Sequence, residues 1–156
     1  MQNIIYKQID DEIERKILAW FGDAIIKYDM LPKRDGCYCV AAMCGEQIVG
    51  FSAVSPARWT PPLEQYGDAF INSIEVAEIF RRRGIGRRLI TILENFAREN
   101  GYRQIRAWSS YASPEALHMW YSMNYAMCPA VEPIYENGQI KGLNPGYYYA
   151  KILNPQ

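Results

Sequence analysis

Apolar residues along this chain occur either in short β-prone runs or at the spacing of a helix, every three to four residues. The first pattern predicts strands and the second predicts helices. The run 4–9 is β-prone, and Asp10 or Asp11 is a suitable N-cap for a helix after it. Apolar residues then recur at helical spacing up to position 26, with an interruption near Gly22. This pattern predicts two short helices or one broken helix. The β-rich runs 37–44 and 47–55 flank Gly45-Glu46, which predicts a hairpin.

The middle of the chain predicts a strand, a long helix and a second strand. Residues 68–77 form the first β-prone run, and an amphipathic stripe begins at Ile85 and stops at Asn100-Gly101. Residues 102–109 then return to strand character. Two strands joined by a helix are expected to lie parallel through a right-handed crossover.

The remaining segments complete the predicted sheet. Ser113-Pro114 opens another helix, because serine is a favoured N-cap and proline suits the first helical position. Residues 126–135 and 146–153 are predicted to be antiparallel strands around an Asn137-Gly138 turn. The long loop 56–67 contains Trp59 and Tyr66, which either line a pocket or fold back to bury the loop.

Composition narrows the possible classes of protein. The 156 residues are 49% hydrophobic, which is typical of a globular chain, and we expect a single domain spanning 1–156. Lysine plus arginine equals aspartate plus glutamate at 17 each, so no overall charge favours nucleic acid. Four cysteines without a Cys-x-x-Cys pair, with one histidine, argue against a metal site. No signal pattern or membrane-length apolar run occurs, so we expect a cytoplasmic protein without a membrane partner.

The basic residues concentrate where the predicted strand ending near Val76 turns into the helix that starts at Ile85. The first N–H groups of a helix have no intrahelical acceptor and lie at the positive end of its dipole, so they bind phosphate. Gly84 and Gly86 carry no Cβ to hold such a ligand away. The turn therefore predicts a pyrophosphate site, with a solvated basic face or a nucleic-acid patch as alternatives. The spacing Arg81-x-x-Gly84-x-Gly86 is neither the dinucleotide fingerprint nor a Walker loop.

This spacing, preceded by Ile74-Glu75-Val76 and followed by Arg87-Arg88-Leu89, resembles the acetyl-CoA signature of the GCN5-related N-acetyltransferase (GNAT) family. The resemblance implies an α/β fold whose central, mostly antiparallel mixed sheet is splayed at a parallel strand pair and flanked by helices. It also implies acetyl transfer from acetyl-CoA to a primary amine by direct attack in a ternary complex, without a metal. The expected partners are a small-molecule or peptide amine and, since dimers are common in the family, a second copy of the chain. The residues implied to bind acetyl-CoA are Ile74, Glu75, Val76, Arg81, Arg82, Arg83, Gly84, Ile85, Gly86, Arg87 and Ser113.

A second family pattern, Asn-x-x-Ala-x-x-x-Tyr ending in Gly-Phe, is only partly present. Aligning Asn124-Tyr125 with the Gly-Phe places Ser113 at the asparagine and Trp120 at the tyrosine that protonates the departing thiolate. An indole N–H donates a hydrogen bond without usefully releasing a proton, so Tyr121, one residue later, is our candidate general acid. Alternatively, Trp120 packs in the core, Tyr121 lies on the surface, and water or the incoming amine protonates the thiolate.

Glu75 is the candidate general base. The resemblance implies that the strand on or beside which Glu75 and Glu78 lie flanks the acetyl group. Strand alternation places Glu75 on the face opposite Ile74 and Val76, and a carboxylate there could take a proton from the amine. A surface charge on the strand is the alternative interpretation, and His118 is interpreted as a helix-surface residue. The missing tyrosine also leaves a competing class, a non-catalytic module that binds or senses acyl-CoA.

Overall fold

The computed structural model describes residues 3–57, 67–136 and 138–154, so the predictions for Trp59, Tyr66 and Asn137 lie outside the described residues. The helices within these ranges are α1 Asp11–Phe21, α2 Ala24–Lys27, α3 Ile85–Glu99 and α4 Pro114–Ser122. The strands are β1 Ile4–Gln8, β2 Tyr38–Cys44, β3 Gln47–Pro56, β4 Asp68–Val76, β5 Gln104–Ser110, β6 Ala126–Glu136 and β7 Gln139–Ile152. They form a seven-stranded sheet in the order β1-β2-β3-β4-β5-β7-β6.

The ends of the helices follow local chemistry. Asp10 caps α1, because its Oδ1 accepts a hydrogen bond from the Ile13 N–H at 2.8 Å. Gly22, with φ of 63°, ends α1 and separates it from α2, so two short helices form. Gly101 has φ of 76° just after α3, as expected of a glycine that ends a helix. The prediction for Ser113 needs correction, because α4 does begin at Pro114 but the Ser113 side chain makes no capping hydrogen bond.

Helices cover both faces of the sheet. One face packs against α1 and α2 through a buried cluster that includes Ile17, Ile25 and Phe51. The other face packs against α3 and α4 through a larger cluster that includes Leu89 and Trp120. The sheet is antiparallel except at β4 and β5, which pair in parallel, so the predicted mixed α/β fold is confirmed.

The β4–β5 pairing is short and leaves the two strands splayed. The paired residues are Asp68 with Gln104, Ala69 with Ile105, and Phe70 with Arg106. Beyond Phe70, β4 remains paired with β3 on its other side, and beyond Arg106, β5 remains paired with β7. The sheet is therefore open between β4 and β5 at their carboxyl ends, where a ligand can meet strand backbone directly.

A buried carboxylate, that of Asp68, links β4 to β5 at the end where the two strands are still paired. Asp68 is 2% exposed, and its Oδ1 lies 2.9 Å from Arg103 Nη2. Its Oδ2 lies 2.9 Å from Arg106 Nη2 and accepts from Gln104 Nε2 at 2.6 Å. A buried charge of this kind is tolerated because several charge-assisted bonds compensate for its lost hydration. The network joins the first residue of β4 to β5, so it fixes where the strands begin to diverge.

A second buried carboxylate anchors α3 to the sheet. Glu94 is 4% exposed and receives Lys151 Nζ at 3.0 Å on both carboxylate oxygens. It also accepts from the Tyr125 hydroxyl at 2.9 Å, and burial beside this carboxylate raises the pKa of the Tyr125 phenol. Arg98 Nη2 completes the group at 3.3 Å. The network holds α3, and therefore the turn that precedes it, in a set position on the sheet.

Candidate active site

The turn between β4 and α3 presents an uncapped helix N-terminus. A short 3₁₀ turn follows β4, and Arg82 and Gly84 then adopt left-handed backbone conformations with φ of 63° and 80°. A non-glycine residue in that region costs about 1 kcal/mol or more, and such strain is concentrated at functional turns. Gly84 occupies the N-cap position without any capping side chain, and the Arg88 N–H donates to the Gly84 carbonyl at 3.0 Å. The N–H groups of Ile85, Gly86 and Arg87 therefore precede the first intrahelical bond and point outward.

The two glycines of the turn have different structural roles. A Cβ built on Gly84 meets no atom within 4 Å, so its position is open to a ligand, and its positive φ is what requires glycine. A Cβ on Gly86 would lie 3.3 Å from Met119 Sδ and 3.5 Å from Ile74 Cδ1. Gly86 therefore lets α3 pack closely against β4 and α4, which brings the open N–H groups to the strand opening.

Two arginines of the turn bond to other groups of the protein, and two others have exposed side chains. Arg81 Nε donates to the Val76 carbonyl at 3.1 Å, and its Nη1 lies 3.9 Å from Glu115 Oε1. Arg87 Nη2 donates to Ser122 Oγ at 2.8 Å, which ties α3 to the end of α4. These two side chains hold the turn in place, and Arg87 offers a ligand its backbone N–H. Both Arg82 and Arg83 are exposed, the latter with its guanidinium 5.2 Å from the Phe80 ring centre.

A β-bulge lies in β4 at the strand opening. Val54 pairs with Ile71 and Ala53 pairs with Ser73, so Asn72 is an extra residue without a partner on β3. Bulges bend a strand and change the direction of its side chains, and they are frequent beside active sites. The bulged residue lies two positions after Phe70, the last β4 residue paired with β5. Sequence reasoning missed this feature, because a bulge depends on the register between two separate strands.

Glu75 lies on the α1/α2 face of β4, as strand alternation predicts. It pairs with Phe51, a member of the cluster under α1, while Ile74 and Val76 face α3 near Gly86. Trp20 of α1 packs edge-on against Phe51 with ring centres 6.1 Å apart. Burial in this aromatic surrounding raises the pKa of the Glu75 carboxyl, and the charge of Arg81 partly opposes the rise. A carboxyl with a raised pKa beside a strand opening is suited to accept a proton from an amine.

Helix α4 places the two candidate acid positions in different environments. Trp120 is 1% exposed and stacks on Tyr149 with ring centres 5.2 Å apart. Tyr121 is 70% exposed. Met119, two residues earlier, faces Gly86. Two residues correspond to a rotation of about 200° around a helix, so Tyr121 lies on the side of α4 away from the phosphate turn. This arrangement matches the alternative in which Trp120 is a core residue, and a catalytic role for Tyr121 stays a prediction.

A cavity of about 280 Å³ lies between α4, the carboxyl end of β5 and two tyrosines of β7. Ser113, the residue at the family's asparagine position, lines it at the start of α4. Tyr147 and Tyr149 form its β7 wall, and the Tyr149 hydroxyl lies 2.8 Å from Ser109 Oγ. Burial raises the pKa of the Tyr149 phenol, while the bond to Ser109 opposes that rise. The aromatic run at 147–149 is visible in the sequence, but its position beside Ser113 depends on the β5–β7 pairing.

Among residues 3–57, 67–136 and 138–154, no group of three or more histidine, cysteine, aspartate or glutamate side chains has an arrangement that could hold a metal ion. No helix in the same ranges combines the length and the apolar character that crossing a bilayer requires.

Comparison with known proteins gives a family match and many similar folds. The model of a family described as "Acetyltransferase (GNAT) family" matches residues 6–125. A streptothricin acetyltransferase from Streptomyces lavendulae is 31% identical over 103 residues, which are 66% of this chain and 51% of that protein. The chain thus spans about half the length of the curated relative that it matches.

Two solved structures illustrate the likeness of fold. A ribosomal-protein-alanine N-acetyltransferase from Brucella melitensis superposes with a TM-score of 0.74 at 20% identity, covering 96% of this chain and 99% of that one. A putative acetyltransferase from Salmonella typhimurium, solved with its cofactor acetyl-CoA, gives a TM-score of 0.73 at 14% identity. That alignment covers 98% of this chain and 95% of the other.

Proposed function

The chain belongs to the GNAT acetyltransferase family, and we propose that it transfers the acetyl group of acetyl-CoA to a primary amine by direct attack in a ternary complex. The observation that carries this proposal is the uncapped N-terminus of α3 beside the opening between β4 and β5. Such a terminus provides several N–H donors and a positive dipole for a pyrophosphate. The adjoining strand opening provides unpaired backbone for an extended chain that ends in a thioester.

The residues of the turn fit the pyrophosphate of acetyl-CoA. The N–H groups of Ile85, Gly86 and Arg87 donate to its oxygens, and Gly84 leaves the approach open. The exposed guanidiniums of Arg82 and Arg83 add charge-assisted contacts. A small anionic ligand also suits a chain whose net formal charge is zero, better than a nucleic-acid strand does.

The opening of the sheet positions the reacting groups. Beyond Phe70, β4 backbone groups directed towards β5 have no strand partner, so they pair with the pantetheine near Ile74 and Val76. One N–H in this stretch, near Val76, polarises the thioester carbonyl and stabilises the oxyanion that forms on attack. The amine nitrogen bonds to the carbonyl carbon, its proton passes to Glu75 directly or through water, and the carbon–sulfur bond breaks.

The departing thiolate needs a proton, and Tyr121 is our candidate donor. Tyr121 carries a phenol, which can release a proton, whereas the indole of Trp120 is buried and holds its proton. Water or the attacking amine supplies the proton if Tyr121 does not reach the sulfur.

A second function, a non-catalytic module that binds acyl-CoA, is favoured by one observation. Trp120, at the position where the family usually has its acid, is 1% exposed and packs in the core. Such a module keeps the phosphate turn and lacks turnover.

The acceptor is a small-molecule or peptide amine. Streptothricin is the first compound to test, since an acetyltransferase named for it is 31% identical to this chain over 103 residues. The half-buried carboxyl of Glu75 suits a cationic amine, because a carboxylate attracts an ammonium group.

Isothermal titration with acetyl-CoA, CoA and 3′-dephospho-CoA tests the cofactor, and thiol release with a panel of amines tests the reaction. Tight binding of acetyl-CoA with release of CoA in the presence of an amine supports the transferase. Binding without turnover on any amine favours the sensor module, and no binding refutes the phosphate-turn assignment.

A further inference from the structure

A hydrogen-bonded pair of hydroxyls, from Ser109 and Tyr149, lies on the β5 side of the strand opening. The two oxygens are 2.8 Å apart. Tyr149 is 1% exposed, whereas Ser109, at the next-to-last position of β5, is half-buried. Backbone pairing already joins β5 to β7 at every position from Gln104 to Ser110, so this additional bond is not needed to hold the two strands together.

The side chain of Ser109 lies on the α3/α4 face of the sheet. β5 pairs with β7 without a register shift, so strand alternation holds along β5. Ile105 and Ala107 belong to the cluster packed against α3 and α4, and Ser109 is the next residue in the same row. The bond to Tyr149 agrees with this direction, because Tyr149 belongs to that cluster and pairs with Ala107. Ser109 is thus on the face that carries the phosphate turn.

Along the opening, Ser109 is level with the part of β4 near Ile74. Ser109 is three positions beyond Arg106, and Ile74 is four positions beyond Phe70, one of which is the extra residue of the bulge. Both strands therefore advance by about three residues, roughly 10 Å, from their last parallel pair. A pantetheine that pairs with β4 near Ile74 meets β5 on its other side, at the level of the Ser109 hydroxyl.

Tyr149 sets the direction in which the Ser109 hydroxyl donates. A phenol is more acidic than an alcohol and is the better donor, so the Tyr149 O–H donates to Ser109 Oγ. Ser109 then keeps its own hydrogen for a third group. The Tyr149 ring is held by stacking on Trp120 with ring centres 5.2 Å apart, so its hydroxyl is fixed in place.

We propose that Ser109 is a further catalytic residue, which donates a hydrogen bond to the sulfur of acetyl-CoA, and that Tyr149 is a positioning residue, which orients the Ser109 hydroxyl. When the amine nitrogen attacks the carbonyl carbon, the carbon–sulfur bond breaks and its electron pair stays on the sulfur. The Ser109 O–H stabilises this thiolate without releasing its proton, and Tyr121 or its alternatives neutralise the thiolate afterwards. The bond is stronger to the thiolate than to the neutral thioester, so it lowers the barrier. This assignment rests on the proposed transferase function.

The test measures the pKa of the CoA thiol in its complex with the protein. A hydrogen bond to the sulfur favours the thiolate and so lowers the pKa of the bound thiol. Thiolate absorbs in the ultraviolet, and subtracting a titration of the S-methyl-CoA complex removes the signal of the protein. Ser109→Ala raises the pKa of the bound thiol by about one unit or more, the effect of one hydrogen bond to a charged group.

The same change appears in catalysis. Ser109→Ala lowers kcat about tenfold and leaves the KM of acetyl-CoA nearly unchanged, because the lost bond strengthens only as the sulfur gains charge. Tyr149→Phe keeps the ring on Trp120 and frees the Ser109 hydroxyl to turn away, so both effects have the same sign and are smaller. The matched control is Tyr102→Phe, which removes a phenol that donates to the Gly36 carbonyl at 3.2 Å, before the start of β5. It leaves the pKa of the bound thiol and kcat at their wild-type values.

A wild-type pKa of the bound thiol in Ser109→Ala overturns the role of Ser109, and equal shifts in Tyr149→Phe and Tyr102→Phe overturn the role of Tyr149. Only folded protein binds CoA, so the pKa remains meaningful if a variant is partly unfolded. A wild-type protein that binds no CoA refutes the proposed function, and the roles of Ser109 and Tyr149 fall with it. Binding without turnover on any amine refutes the transferase alone, while the pKa in Ser109→Ala still decides whether Ser109 meets the sulfur.

Discussion

Replacing Gly84 with leucine separates binding by the phosphate turn from the stability of the fold. Gly84 has φ of 80° and an empty surrounding, so leucine there adds a side chain where the pyrophosphate approaches α3 and imposes a strained backbone. A left-handed conformation costs a non-glycine residue about 1–2 kcal/mol. For a chain of this length that corresponds to a fall in Tm of roughly 2–8 °C.

The effect on binding is much larger than the effect on stability. Displacing the pyrophosphate from two N–H groups removes two charge-assisted hydrogen bonds, each contributing about 1.5–3 kcal/mol. The dissociation constant of acetyl-CoA therefore rises at least a hundredfold, as 1.4 kcal/mol corresponds to a factor of ten. Isothermal titration measures the affinity, and calorimetric unfolding measures Tm on the same sample.

The matched control is Gly101→Leu. Gly101 has φ of 76° and an equally open surrounding, but it lies beyond the opposite end of α3. It carries the same backbone strain, so Tm falls similarly while acetyl-CoA affinity stays at the wild-type value. Wild-type affinity in Gly84→Leu, or equal losses of affinity in both variants, refutes the assignment of the turn.

Three further variants test the catalytic residues and the anchoring of α3. Burial raises the pKa of Glu75 above the ordinary 4.5, so we expect kcat/KM to rise with pH as this carboxyl loses its proton. Glu75→Gln abolishes that rise and lowers kcat about a hundredfold. An unchanged pH profile in Glu75→Gln excludes Glu75 as the base. Tyr121→Phe lowers kcat about a hundredfold in steady-state assays without changing acetyl-CoA affinity, and full activity transfers the acid role to water or the amine. Glu94→Ala removes the carboxylate that binds Lys151 and lowers the free energy of unfolding, measured by urea titration, by about 3 kcal/mol. The control Glu99→Ala changes an exposed residue of the same helix and has little effect. Similar losses of unfolding free energy in the two variants contradict the anchoring role of Glu94.

Local sequence patterns predicted most of the fold. The interruption at Gly22, the stop at Gly101 and the start of α4 at Pro114 all occur where glycine and proline chemistry places them. The Ser113 cap was wrong, because a serine before a helix caps it only if its backbone turns the hydroxyl back onto the first N–H groups. Here Ser113 has φ of −119° and ψ of 65°, and no such bond forms.

The part of the candidate site that is formed by consecutive residues could be predicted from the sequence. Arg81 to Arg87 belong to one turn, so their residue types and the uncapped helix start could be found together. The partners of those side chains could not be found in this way. Arg87 bonds to Ser122, which lies 35 positions away, and only the packing of α4 on α3 brings the two together.

By itself the sequence determined the order of strands and helices, the position of the turn proposed to bind an anion, and the face of β4 on which Glu75 lies. These properties depend on periodicity and on backbone preferences within a few residues. Only the tertiary structure decided that Asn72 forms a bulge and that β4 and β5 separate after three pairs. Each of these depends on the register between strands distant in the chain, which is set by the packing of the whole core.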